Sequence, residues 1–143
     1  MSSEEVKPPA GVGHTKPSFY AMKMWEMVDT CSRLCPERLT WNEDGDGFTF
    51  QSTKSATQPC PELGGVSIIQ YFFPGNAERL DPEIVQRRSW EKLARQFNNY
   101  RIDDDGSQGL KRRHAHGLFR RGRPDLVQYI LRSSVVRARA RVE

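Results

Sequence analysis

The 143-residue chain has 36% apolar and 10% aromatic side chains, enough for one modest core and too few residues for several domains. Three cysteines argue against a disulfide scaffold, and no run of about 18 apolar residues offers a membrane span. The net charge of +4 conceals a division: residues 1–83 hold 7 Lys/Arg against 12 Asp/Glu, net −5, and residues 84–143 hold 15 against 6, net +9.

Residues 1–16, with Pro8, Pro9, Gly11 and Gly13 and almost nothing apolar, read as a disordered tail. Their acidic start, Met1-Ser2-Ser3-Glu4-Glu5, leaves no expectation of a secretory signal. Ser18 suits a helix N-cap, and Phe19, Met22, Trp25, Met27 and Val28 recur at helical spacing up to Pro36. Leu39-Thr40-Trp41 and Phe48-Thr49-Phe50 flank a turn-rich hexapeptide, Asn42 to Gly47, and predict a β-hairpin. That hexapeptide imitates the start of a calcium loop, but its twelfth position is Thr53 where a bidentate Glu is needed. Residues 52–65 read as a loop. The apolar run Val66 to Phe73, stopped by Pro74-Gly75, fits a helix or a strand equally. Residues 75–86 read as a polar connection, with Asp81-Pro82-Glu83 a cap and first turn.

Arg87 to Tyr100 gives the clearest helix. At 100° per residue, Trp90, Leu93, Ala94 and Phe97 share one face, and Arg88, Lys92, Arg95 and Asn99 share the opposite one, flanked by Glu91 and Gln96. Cations and amides are the groups that match base edges and phosphates, although many solvated helix faces have the same composition. Arg101-Ile102 reads as a short strand and Asp103 to His116 as a charged loop containing Lys111-Arg112-Arg113. Gly117 to Arg120 then returns as a strand to close a second hairpin. Pro124 to Arg132 reads as a last helix, and residues 133–143, with Arg137, Arg139 and Arg141, as a basic tail. There is no internal repeat and no heptad run.

Other chemistries find little support. Cys31 and Cys35 at i, i+4 could join Cys60 and His114 or His116 around zinc, but no Cys-x-x-Cys or His-x-x-x-His pair accompanies them, so buried or surface thiols are expected and no metal or cofactor. No phosphate loop, activated nucleophile or carboxylate–histidine cluster suggests an enzyme. Arg121-Gly122-Arg123-Pro124 matches the core of a minor-groove clamp, yet it lies between two elements, where Gly122 can make a turn and Pro124 can open a helix.

The element order predicts an α+β chain of winged helix-turn-helix type, with a three-helix core, a small antiparallel sheet and a C-terminal helix spanning residues 17–132. Five segments, in order, carry a more specific likeness. They are Ser18 to Trp25 with its Lys23-x-Trp25 pair, the Trp41 to Phe50 hairpin, Tyr71-Phe72, Leu93-Ala94-Arg95-Gln96-Phe97-Asn98-Asn99-Tyr100, and His116-Gly117-Leu118-Phe119-Arg120-Arg121-Gly122. Together they resemble the heat shock factor DNA-binding domain, whose recognition-helix signature runs aromatic-Val-Arg-Gln-Leu-Asn-x-Tyr. The resemblance implies sequence-specific binding of double-stranded DNA by a nuclear transcription factor, with helix 87–100 in the major groove of GAA-type elements. It puts Arg95 on a guanine, Lys92, Gln96 and Asn99 near neighbouring bases or phosphates, and Arg88 and Arg121 on phosphates. The chain departs from the family in an extra segment at about 74–86, in Lys92 for Ser, in Arg101 for Gly, and in Asp103-Asp104 for a basic pair. Without a coiled coil, a homo-oligomer is expected only if a longer chain supplies one. The competing expectations are a winged-helix module that binds protein, and a non-specific nucleic-acid binder acting through the Arg-rich C-terminal half.

Overall fold

The computed structural model describes residues 19–74, 82–106 and 108–132. The expected tails at 1–16 and 133–143, the Ser18 cap and most of the connection at 75–86 lie outside the described residues. Among those described, no helix is long and apolar enough to cross a membrane.

Helix α1 (Phe19–Leu34) follows the helical spacing of its apolar residues, and Ala21, Met24, Met27, Val28 and Cys31 are fully buried. Strands β1 (Leu39–Trp41) and β2 (Gly47–Phe50) form the expected hairpin in the register Leu39↔Phe50 and Trp41↔Phe48. Its turn closes through Asn42 N–H to the Gly47 carbonyl and Gly45 N–H to the Asn42 carbonyl, both 2.8 Å.

Residues 52–65, expected to be a loop, contain helix α2 (Thr53–Thr57) and a 3-10 turn at Pro61–Leu63. Helix α2 is too short to show a period in sequence. The Ser52 hydroxyl caps it by accepting from Ser55 N–H at 3.2 Å, and Ala56 anchors it in the core. The ambiguous apolar run forms helix α3 (Ile68–Phe72), where Ser67 accepts from Gln70 N–H at 3.1 Å and Ile68, Ile69 and Phe72 are buried. Helix α4 (Pro82–Asn99) begins five residues earlier than its apolar period, at a proline whose missing N–H costs nothing in a first turn.

The second hairpin is shorter than expected. Strand β3 (Ile102–Asp104) pairs with β4 (Lys111–His114), not with residues 117–120. The inward positions of β4 are Arg112 and His114, 3% and 4% exposed, so hydropathy gives no sign of a strand there. The four strands form one antiparallel sheet in the order β1-β2-β4-β3. Gly47 lets β2 and β4 approach, because a Cβ there would lie 2.2 Å from the Arg112 carbonyl oxygen. The last element is a 3-10 helix, Pro124–Tyr129, in place of the expected helix to Arg132; it buries Leu126 and Val127, and Ile130 is buried just beyond it.

Aromatic rings run through the core. Trp25 meets Trp41 at 5.7 Å, Trp41 meets Phe119 at 5.6 Å, Phe119 meets Phe48 at 5.4 Å, and Phe48 meets Phe97 at 5.3 Å. The buried aromatic face of α4 therefore rests on β2, with Trp90 edge-on to Phe50 at 5.2 Å. Helix α1 meets the chain just past the end of α4, where Tyr20 stacks with Tyr100 at 6.1 Å.

Candidate nucleic-acid interface

Helix α4 separates its two faces as its sequence requires. Leu93 and Phe97 are buried, and Trp90 packs against the core. On the other side Arg88, Lys92 and Arg95 are exposed, and Gln96 and Asn99 are half-exposed. At 1.5 Å rise per residue the row from Arg88 to Asn99 is roughly 16 Å long. The Arg95 side chain makes no hydrogen bond or ion pair with any described residue. Asn99 Nδ2 donates to Gln96 Oε1 at 3.4 Å, so these two amides orient one another.

The end of α4 is held by a residue that the sequence reading placed in a loop. The buried Arg112 guanidinium donates through Nε to the Gly109 carbonyl at 2.8 Å. Through Nη1 it donates to Asn98 Oδ1 at 3.0 Å and to the Ile102 carbonyl at 2.9 Å. Its Cζ also lies 5.1 Å from the centre of the Phe97 ring. One side chain thus ties helix, strand and hairpin turn together. Burial lowers its pKa from the usual arginine value, with Asp104 and Asp103 opposing that shift, and the three acceptors compensate the buried charge. Arg101, where the likeness has Gly, has φ +61°, and its N–H donates to the Asn98 carbonyl at 3.1 Å, so a side chain occupies a left-handed helix end.

Several cations of the basic half are paired with carboxylates. Arg113 bridges Asp105 at 3.1 Å and Asp46 at 3.2 Å, Arg123 meets Asp125 at 3.0 Å, Arg101 meets Asp103 at 3.8 Å, and Lys111 meets Asp105 at 4.0 Å. The second hairpin therefore offers few unneutralised cations, and Lys111-Arg112-Arg113 is not a free basic cluster.

Arg121 is exposed but lies at the β1–β2 turn. Its N–H donates to the Gly45 carbonyl at 2.9 Å, and its side chain covers Gly45, whose φ is +71°. Trp25 holds this segment by donating from Nε1 to the Arg120 carbonyl at 2.8 Å. No hydrogen bond or ion pair among the described residues joins Arg121 to α4. The residues expected on α4 share one face, and Arg121 stands on a separate element, beside the β1–β2 turn. The minor-groove-clamp reading of residues 121–124 fails, because Gly122 (φ +75°) turns the chain and Pro124 opens the 3-10 helix.

The other expected metal-type residues have structural positions. Asp46 of the calcium-like turn is engaged by Arg113. Cys31, Cys35 and Cys60 are buried and free, and the Cys60 thiol donates to Glu62 Oε2 at 3.2 Å. Burial and the neighbouring thiols push the Cys31 pKa well up and raise that of Cys35 to about 11, which disfavours thiolates. Among the described residues no group of three or more His, Cys, Asp and Glu is arranged to hold a metal. His114 was not foreseen as a core residue. Its Nδ1 accepts from His116 N–H at 3.0 Å and from Leu118 N–H at 3.3 Å, which fixes the neutral form with the proton on Nε2. Burial, then His116 and Arg101, lower its pKa to about 4.

No family model, curated protein or solved structure matches the chain.

Proposed function

We propose that the chain binds double-stranded DNA sequence-specifically, as a winged helix-turn-helix domain of heat shock factor type in a nuclear transcription factor, with α4 in the major groove. The observation that carries this reading is the outward row of α4, Arg88, Lys92, Arg95 and Asn99, backed by a buried aromatic face. The arrangement of α1, α3 and α4 with a small antiparallel sheet is compatible with the plan, and the β3–β4 hairpin then corresponds to the wing.

The physical logic has two parts. A rigidly backed Arg fork can donate to guanine O6 and N7 together, worth about 1–3 kcal/mol of discrimination between bases. Cations beside it supply affinity that falls with salt, each phosphate neutralised adding about 0.9 to the log–log slope. Because the β3–β4 cations are paired with carboxylates, the wing contributes little affinity and α4 carries most of it. Binding titrations over a salt series test the division. Arg88→Ala weakens all duplexes equally and reduces the salt slope by about 0.9; Arg95→Ala shrinks the difference between preferred and random duplexes by roughly 5- to 150-fold. An Arg95→Ala protein that keeps that difference overturns the reading.

A further inference from the structure

The proposed DNA-binding reading leaves open which bases α4 prefers, and the face itself narrows the choice. Lys92 and Arg95 are both exposed and lie three residues apart on that face, about 60° apart around the helix and about 4.5 Å along it. Adjacent base pairs are separated by about 3.4 Å. In helices that enter the major groove, residues three apart can contact successive bases. Both side chains carry donors only, and both pair best with the two acceptors guanine presents, O6 and N7. Adenine offers one acceptor beside a donor and is served by amides, and the amides here, Gln96 and Asn99, are only half-exposed and hydrogen-bonded to one another.

We infer that α4 reads two adjacent guanines on duplex DNA, Arg95 taking one and Lys92 the other, so that Lys92 is a specificity residue and not only a phosphate contact. This rests on the DNA-binding reading above. Arg95 is the stronger reader because its planar fork meets O6 and N7 together, whereas the Lys92 ammonium is a point donor.

The test is selection of duplexes with a random central segment by the full 143-residue chain, repeated with Lys92→Ser and Arg95→Ala. Lys92 is solvent-exposed, so a thermal melt coinciding with that of the wild type confirms an intact Lys92→Ser fold. The expected result is an enriched site containing a guanine pair. Lys92→Ser relaxes one guanine and keeps the other, Arg95→Ala does the converse, and each loses roughly 5- to 150-fold of preference at its base. A wild-type site with a single guanine overturns the inference. So does a Lys92→Ser protein that binds more weakly yet keeps both guanines, since Lys92 is then a phosphate contact. Enrichment of no site at all overturns the DNA-binding reading itself, which separates that failure from failure of the guanine pair.

Discussion

Replacing Arg112 by Met keeps most of the side-chain volume and removes the guanidinium. Three charge-assisted hydrogen bonds disappear, at 2.8, 2.9 and 3.0 Å, together with the stacking on Phe97. Each such bond contributes about 1.5–3 kcal/mol, while relief of the buried charge returns part of that sum, leaving a net cost of about 3 kcal/mol. For a domain of this size that lowers Tm by roughly 10–15 °C. Arg113 is the internal control: its side chain is 49% exposed and its ion pairs with Asp46 and Asp105 are screened by solvent, so Arg113→Ala melts close to the wild type. Thermal denaturation followed by far-UV circular dichroism measures both. Equal shifts for the two variants, or a shift below about 3 °C for Arg112→Met, would refute the assignment of Arg112 as the residue that joins α4 to the hairpin.

Other consequences follow from single positions. Gly47→Ala forces a Cβ against the Arg112 carbonyl, so β2 and β4 must separate; urea titration should show a loss of about 2–3 kcal/mol or no folded protein. Arg101→Gly relieves a left-handed residue with a side chain and sacrifices only an exposed 3.8 Å ion pair, so it stabilises by roughly 0.5–1 kcal/mol in the same titration. For His114, the folded pKa of about 4 lies below the usual 6.5, so the unfolded chain binds the proton first. The stability it contributes is complete above about pH 6.5 and is lost as the pH falls toward 4, by about 3 kcal/mol in all. His114→Gln should flatten that part of the stability–pH curve, and an unchanged slope would assign the acid sensitivity to other groups.

The elements legible in the sequence were those whose period matched their burial. Helix α1, the β1–β2 hairpin and the two faces of α4 are written in apolar spacing, and the exposed row of candidate readers on α4 follows from the same wheel. The β3–β4 hairpin was misplaced because β4 turns inward with Arg112 and His114, and a polar residue in a core position looks like a loop to any hydropathy argument. Helices α2 and α3 span 5 residues each, too few for a period, and are set by the Ser52 and Ser67 caps. The place of Arg121 was not legible either, since the hydrogen bond to Gly45 that holds it at the β1–β2 turn joins residues far apart in sequence. The charge of each half says where cations lie along the chain but not which are paired: Asp46, from the acidic half, meets Arg113 of the basic half, which no count by halves shows.

The central claim is that Arg95, carried on the outward face of α4, reads a base. Quantitative binding of the wild type and of Arg95→Ala to the best duplex selected from random sequence, beside a shuffled duplex at the same salt, tests it most directly. The expected result is a wild type that favours the selected duplex and an Arg95→Ala protein whose preference is roughly 5- to 150-fold smaller, with an unchanged melting temperature. An Arg95→Ala protein that still prefers the selected duplex by the wild-type factor would contradict it.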